Sequence, residues 1–215
     1  MVPETRAEPP RQPRQARAKQ RVEQILAAAS QLVMAKGFAG LKMGESASQA
    51  GVTPSSIYQY FPNKRAILLE LAQRHLDAGQ QLLASLLAPE IEDIDDLGQR
   101  LDAGIETYYL RLRADPLVPH LRTAFAADTQ LREMEAADTV EIEDRLFEAT
   151  KHLFRPKCQA QIRLAMRMIL EFIDVGVDMA TALDEREGRA VMDLLYTNLD
   201  ACWEASVLPH ARPSR

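Results

Sequence analysis

The chain has 215 residues, of which 47% are hydrophobic and 27% are charged, a composition typical of a soluble globular protein with one or two domains. It has no apolar run near the roughly 18 residues that a membrane span needs, and it has no secretory signal, so we expect a cytoplasmic protein. Its two cysteines have no Cys or His neighbours at metal-ligand spacing and do not form a disulfide pattern, so we expect free thiols. The net charge of −5 is uneven, because residues 1–75 carry +6 and residues 76–215 carry −11. A basic first third is typical of a nucleic-acid-binding segment, although a charge-segregated protein adaptor would have the same pattern.

The chain is predicted to begin with an arm and a long helix. Residues 1–16 are rich in proline and arginine and lack the apolar residues of a core, so we expect them to be disordered. Their arginines fit either a solubilising tail or an arm that contacts DNA phosphates or enters a minor groove. Apolar residues then recur every three or four positions from Arg17 to Lys36, which predicts an amphipathic helix, and Gly37 is a typical helix end.

Two short helices follow. Residues 43–50 are predicted to form the first, which ends at Gly51. Thr53 as N-cap and Pro54 in the first turn predict the start of the second, and Pro62 ends it. Two short helices separated by a tight turn indicate a helix-turn-helix, in which the second helix contacts the bases of DNA.

The rest of the chain is predicted to form long helices joined at prolines. They cover residues 64–87, 91–114, 117–128, 130–154, 157–182 and 186–206. No credible pair of strands occurs, so the fold class is all-α, with an N-terminal three-helix head and a larger helical domain.

The segment from Ala50 to Leu68 reads AGVTPSSIYQYFPNKRAIL and resembles the DNA-binding signature of the TetR family of regulators. The resemblance covers about residues 20–70, and beyond them the chain is similar to the family only in length and helical character. It implies a DNA-binding domain over residues 17–64 and an effector-binding and dimerisation domain over residues 65–215.

The resemblance also implies a set of DNA contacts. Val52, Ile57 and Phe61 are expected to anchor the second helix of the motif. The residues expected to face the bases are Thr53, Ser55, Ser56, Tyr58 and Gln59, and those expected to contact phosphates are Tyr60 and Lys64. Each has a structural alternative, since Tyr58 could pack between helices, the two serines could only cap the helix, and Lys64 could be a solvated charge.

The sequence departs from the family pattern in the first helix of the motif. Met43 and Gly44 stand where polar or basic phosphate contacts are common, and Ser46 occupies a usually aliphatic position. We therefore expect this helix to hold the DNA backbone less tightly.

Family members dimerise through their last two long helices, so residues 157–206 are expected to form a homodimer interface. Two apolar stripes are candidates for it: Ile162, Ala165, Met166, Ile169, Leu170, Ile173 and Val177, and then Val191, Leu194, Leu195, Leu199 and Trp203. The alternative is that these stripes pack only within their own chain.

An effector pocket is expected among the central helices, between about residues 91 and 180. The candidates for lining it are aromatic and Met residues suited to a small apolar or amphipathic ligand: Tyr108, Tyr109, Phe125, Met134, Phe147, Phe154, Met168 and Phe172. Residues of these types are more often part of the core than in contact with a ligand. No cofactor or metal is expected.

Together these features predict a ligand-responsive transcriptional regulator, most simply a repressor that a small-molecule effector releases from a double-stranded DNA operator. An enzyme is disfavoured, because the four histidines are scattered and no phosphate-binding glycine loop occurs. The other alternative is a helical interaction module whose head no longer binds specific DNA.

Overall fold

The computed structural model describes residues 11–211. Within that range the fold is all-α, without strands, and consists of nine α-helices: α1 (Arg11–Gly40), α2 (Met43–Gln49), α3 (Pro54–Tyr60), α4 (Lys64–Leu86), α5 (Ile94–Ala114), α6 (Val118–Ala127), α7 (Thr129–Thr150), α8 (Gln159–Ala182) and α9 (Glu185–Ser206). Three short 3₁₀ turns, Lys151–Leu153, Pro156–Cys158 and Leu208–His210, connect or follow them. The chain divides into two compact units between Leu71 and Ala72.

The first helix begins earlier than its periodicity predicts. α1 starts at Arg11, so residues 11–16 of the expected disordered arm are helical, and residues 1–10 lie outside the described range. Pro13 is tolerated because the first turn of a helix has amide groups without intrahelical partners in any case. The regular helix is interrupted at Gly37, whose φ of 68° lies in the left-handed region, as the predicted helix end requires.

The turn of the helix-turn-helix also depends on a glycine. Gly51, with a φ of 65°, separates α2 from α3. Thr53 then caps α3, because its hydroxyl oxygen accepts a hydrogen bond from the Ser56 amide at 3.2 Å, and Pro54 occupies the first turn. Asn63 caps α4 in the same way by accepting from the Ala66 amide at 3.0 Å.

The core of the first unit draws on every helix of the head. α1 contributes most of its buried apolar side chains, α2, α3 and the start of α4 each add one or two, and the connecting segments add Leu41, Val52 and Phe61. They are Ile25, Leu26, Ala28, Ala29, Leu32, Val33, Leu41, Ala47, Val52, Ile57, Phe61, Ile67 and Leu71. Because Ile67 and Leu71 belong to this core, the first two turns of α4 pack with the head, and the compact units divide after Leu71. The boundary between functional domains at residue 64 stays a prediction.

The second unit is built around the long pair α8 and α9, against which α5 and α7 pack. Aspartates cap its helices: Asp93, Asp128 and Asp184 accept hydrogen bonds from amides in the first turns of α5, α7 and α9. α7 ends at Thr150 rather than near residue 154, since a 3₁₀ turn leads into Arg155, which is extended before Pro156. The two cysteines, Cys158 and Cys202, are half-buried thiols.

The stripe of α8 that was predicted to face a second copy lies largely inside its own chain. Ile162, Ala165, Met166, Ile169, Ile173 and Val177 are buried in the core of the second unit, as are Leu195 and Leu199 of α9. In the predicted stripe of α9, only Leu194 is strongly exposed, at 65%. The alternative that the sequence left open, packing within the chain, is therefore correct for most of these residues.

A different stripe of α8 is exposed. It is made of the large apolar side chains Leu164, Met168, Phe172, Val175 and Met179 at helical spacing, and Leu183 follows directly after the helix. α8 is thus apolar on two sides, and periodicity alone does not show which side faces the core.

Candidate DNA-binding head and ligand cavity

α3 separates its apolar and polar side chains cleanly. Ile57 is fully buried and Phe61 is nearly so, which fixes the inner side of the helix. Tyr58 is 54% exposed and therefore does not pack between helices as its structural alternative required. Of the other residues predicted to face bases or phosphates, Thr53, Ser55, Gln59 and Lys64 are exposed, and Ser56 and Tyr60 are half-buried.

Three of the predicted DNA-contact residues, Thr53, Ser55 and Lys64, already have partners within the head. The hydroxyl of Thr53 caps α3 and lies 3.1 Å from the hydroxyl of Ser55. The ammonium group of Lys64 donates to the carbonyl oxygens of Phe38 at 3.4 Å and Ala39 at 3.2 Å. These groups therefore help to hold the head together, and their exposed sides remain accessible.

The unusual residues of α2 are accommodated within the helix. Ser46 is fully buried, and its hydroxyl donates to the Lys42 carbonyl at 3.0 Å, so the polar group has a partner. Gly44 is exposed, and a Cβ atom there would meet nothing within 4 Å. Glu45 forms an ion pair with Lys36 at 2.8 Å, and the Lys36 hydrogen bond lowers the pKa of its carboxyl group. The departures from the family pattern leave the fold of α2 intact.

A cavity of about 190 Å³ lies within the second unit, bounded by α4, α5, α6, α7 and α8. Most of its wall is apolar. These side chains come from Leu76, Leu82, Leu83 and Leu86 on α4, Leu101 and Ile105 on α5, Ile142 and Leu146 on α7, and Leu170 and Ile173 on α8. A cavity of this composition suits a small apolar or amphipathic molecule.

One end of the cavity is charged. It is formed by Arg111 of α5, Arg122 of α6, Glu135 and Asp138 of α7, and Glu171, Asp174 and Asp178 of α8. The hydroxyl of Tyr108 donates to the carboxylate of Asp174 at 3.4 Å. Arg122 pairs with the carboxylate of Asp178 and donates to the Thr181 hydroxyl at 2.6 Å. Asp138 accepts a hydrogen bond from Gln80 at 2.8 Å.

Burial changes the acid–base properties of this end. Desolvation raises the pKa of Glu135 to about 6 and that of Asp178 to about 6, and it also raises the pKa of Asp174. It lowers the pKa of His75 to about 4, so this histidine is neutral at pH 7. The His75 ring lies 6.3 Å, centroid to centroid, from that of Phe125, in the wall of the same cavity.

The structure places the predicted effector residues in three different environments. Tyr108 and Phe125 line the cavity. Tyr109 and Phe147 are buried in the core of the second unit, outside that lining, and Phe172 is 44% exposed on α8. The other candidates also lie outside the lining: Phe154 is in the core, Met134 is half-buried and Met168 is exposed.

The charged lining lies outside the sequence prediction, which names only aromatic and Met residues. A usable signal existed in Asp174 and Asp178, which lie four residues apart in a strongly apolar helix and so share one face. Within the described range, no cluster of three or more His, Cys, Asp and Glu side chains is arranged to hold a metal ion, and no helix is long and apolar enough to cross a membrane.

Comparison with known proteins agrees with this architecture. Residues 25–71 match the family described as bacterial regulatory proteins of the tetR family, and residues 95–197 match the tetracyclin repressor-like C-terminal domain. The transcriptional activator FasR of Mycolicibacterium smegmatis is 34% identical over 86 residues, which cover 40% of this chain and 37% of FasR. The chain therefore matches little more than a third of that relative.

Solved structures share the fold at low sequence identity. SmeT, the repressor of the Stenotrophomonas maltophilia multidrug efflux pump SmeDEF, has been solved with triclosan; it is 19% identical with a TM-score of 0.65, and the match covers 90% of this chain and 93% of SmeT. The fatty acid degradation regulator FadR of Bacillus halodurans is 23% identical with a TM-score of 0.57, over 81% of this chain and 94% of FadR.

Repression, dimerisation and ligand response are typical of the family. The two family matches together span most of the chain, from the helix-turn-helix to α9, and the protein belongs to the TetR family of DNA-binding transcriptional regulators.

Proposed function

We propose that this protein is a repressor that binds a two-fold symmetric operator as a homodimer and releases it when a small molecule occupies the cavity of the second unit. The observation that carries the proposal is that α4 lines the cavity with His75, Leu76 and further residues up to Leu86, while its first two turns belong to the core of the head. A ligand that shifts α4 would therefore act on an element shared by both units.

The DNA contacts follow from the exposed side of α3. Gln59 offers the donor and acceptor pair that suits adenine, and Tyr58 presents an aromatic edge that suits the methyl group of thymine. Thr53, Ser55 and Ser56 supply hydroxyls to the bases, and Tyr60 and Lys64 supply the phosphate contacts.

The exposed apolar stripe of α8 supports the dimer. Val175 is 65% exposed, Met179 is 58% exposed, and Leu194 on the neighbouring α9 is 65% exposed. Apolar side chains in a row of this length usually mark an interface, and a closed two-fold dimer would cover the same stripe on both copies. Two heads are also what a palindromic operator requires.

The mechanism is a shift between two populations of the dimer. A ligand that binds more tightly to the form of the dimer whose heads are wrongly spaced lowers the affinity of the protein for DNA. The size of this effect is set by the ratio of the ligand's affinities for the two forms. The similarity to SmeT, which is a repressor, supports repression of transcription by this protein. FasR is an activator, so activation of transcription is the alternative.

The test is selection from a randomised pool of double-stranded DNA, followed by sequencing of the bound fraction and titration of the enriched site. We expect a two-fold symmetric site, bound with a steep dependence on salt because neutralised phosphates release counterions. A pool that stays random, with weak binding even at low salt, would overturn the proposal in favour of a helical interaction module.

Once an operator is known, transcription from a promoter that carries it gives the sign of control. Repression in the absence of ligand is expected, and stimulation of transcription would instead identify an activator.

A further inference from the structure

The cavity contains more negative than positive side chains. Five carboxylates line it, on Glu135, Asp138, Glu171, Asp174 and Asp178, against the two guanidinium groups of Arg111 and Arg122. His75 does not add to the positive side, because its pKa of about 4 leaves it neutral near pH 7. If all five carboxylates are ionised, the lining has three more negative than positive charges.

The two arginines differ in their contacts: Arg122 is paired with a carboxylate, whereas Arg111 has a ring contact and a buried Nε without a hydrogen-bond partner among the described residues. Arg122 is held by the carboxylate and the backbone carbonyl of Asp178, with 2.9 Å to the carbonyl oxygen. The guanidinium of Arg111 lies over the ring of Tyr108, 5.5 Å from its centroid. The carboxylates of Glu135 and Asp174 therefore face the cavity without an arginine ion pair among the contacts of the described residues.

The charged groups of the lining lie close to one another. Tyr108 of α5 contacts Asp174 of α8, the carboxylates of Glu135 and Asp174 both interact with Arg122, and Gln80 of α4 contacts Asp138 of α7. One to three turns along the same helices, Leu86, Leu101 and Leu146 form the apolar part of the wall. A ligand that fills the cavity must therefore present a polar head to carboxylates and an apolar body to leucines and isoleucines.

We infer that the effector of this protein is an amphipathic cation, whose positively charged head lies between Glu135 and Asp174 and whose apolar body lies against the leucines of α4, α5 and α7. The inference rests on the proposed function only in treating the cavity as the effector site. Glu135 is half-buried, Asp174 is exposed, and both carboxylates belong to a lining with more negative than positive groups, so a cation brought by the ligand would be attracted to them.

The experiment compares three ligands with the same ten-carbon chain and different heads: decyltrimethylammonium, decanol and decanoate. Each is titrated below its micellar concentration into the full-length protein without DNA, by isothermal calorimetry at pH 7.5. We expect the ammonium compound to bind at least about tenfold more tightly than decanol, and decanoate to bind most weakly, because the same charges that attract a cation repel an anion.

A double variant, Glu135→Gln with Asp174→Asn, keeps the shape of both side chains and removes their charge. We expect it to bind decyltrimethylammonium at least about tenfold more weakly while its affinity for decanol stays the same, which also shows that its cavity is intact. The matched control is Glu133→Gln with Asp193→Asn, which removes the same two charges from exposed positions outside the lining. It is expected to change neither affinity.

Tighter binding of decanol or decanoate than of the ammonium compound overturns the inference, and so does the absence of ammonium binding. Neither result depends on DNA. Operator binding by the same preparation, measured separately, shows whether the proposed function has failed as well.

Discussion

Lys64 shows how a single side chain can serve both the fold and the proposed DNA contact. Its ammonium group donates to the carbonyl oxygens of Phe38 and Ala39, close to the interruption of α1 at Gly37, where carbonyl groups lack helical partners. The side chain is exposed, and a lysine has three N–H donors, so a phosphate oxygen can be added to these contacts.

Lys64→Gln is expected to weaken operator binding and to make it less dependent on salt. Loss of one phosphate contact should reduce the slope of log affinity against log salt by about 0.9. Fluorescence anisotropy at several salt concentrations measures that slope. An unchanged slope together with a lower Tm would show that Lys64 only stabilises the head.

Glu135 is expected to make the protein less stable as pH rises. Its pKa is raised from 4.5 to about 6 in the folded state, so between these values the folded state binds more protons than the unfolded state, and stability falls as pH increases through that interval. Glu135→Gln should therefore raise the Tm at pH 7.5 more than at pH 5.

The control for this prediction is Glu133→Gln, on an exposed position of the same helix. Thermal unfolding of both variants at the two pH values, without ligand, is the measurement. A Glu135→Gln variant whose Tm gain is equal at both pH values would contradict the explanation.

At the scale of elements, the α8–α9 hairpin includes a close approach of the two helix backbones at Gly188. A Cβ atom at Gly188 would overlap the carbonyl oxygen of Ala180, and it would lie 3.1 Å from both the Tyr109 hydroxyl and the Arg113 guanidinium. The start of α9 can therefore lie against the end of α8 only because residue 188 has no side chain.

Gly188→Ala is expected to destabilise the second unit by about 1–3 kcal/mol, because the backbone of α8 must move to admit a methyl group. Gly98→Ala is the matched control, since a Cβ atom there meets nothing within 4 Å, and it should be neutral or stabilising by up to about 1 kcal/mol through helix propensity. Urea unfolding measures both. Equal stability of the two variants would disprove the close-packing argument.

At the scale of the whole molecule, the exposed apolar stripe of α8 is the surface on which the proposed dimer depends. Leu164, Val175 and Met179 are each more than half exposed within a single chain. Exposed apolar side chains in that position lower the solubility of a monomer, and their burial between two copies stabilises a dimer.

Val175→Glu is therefore expected to convert the dimer into a monomer at micromolar concentration, since it would place two like charges near each other across a two-fold interface. Val140→Glu is the control, because Val140 is also exposed, at 42%, but lies on α7. Sedimentation velocity gives the oligomeric state, and anisotropy with full and half operators gives the functional effect. A Val175→Glu variant that remains dimeric would exclude this face as the interface.

The sequence was sufficient for the head because local signals there agree with one another. Gly37 and Gly51 adopt the positive φ angles that their positions at helix ends indicate, and Thr53 and Pro54 start α3 as predicted. The burial of Ile57 and Phe61 follows from their spacing of four residues on one face. The family resemblance then added the roles of the exposed residues, which remain predictions.

The cavity could not be predicted in the same way. Helical periodicity identifies apolar faces, but Tyr109 and Phe147 in the core, Phe172 on the surface and Phe125 in the cavity wall all satisfy it equally well. Glu135 and Asp174 were not considered, because charged residues on helices usually face water.

By itself the sequence determined the order of the helices, the ends of α2 and α3, the helix-turn-helix and the family, since these depend on local conformational preferences and on a short motif. Only the tertiary structure decided which of the two apolar sides of α8 is buried and which carboxylates surround the cavity. The physical reason is that the burial of a side chain depends on how the helices α4 to α8 pack against one another. Residues far apart in the sequence, such as Tyr108 and Asp174, become neighbours only through that packing.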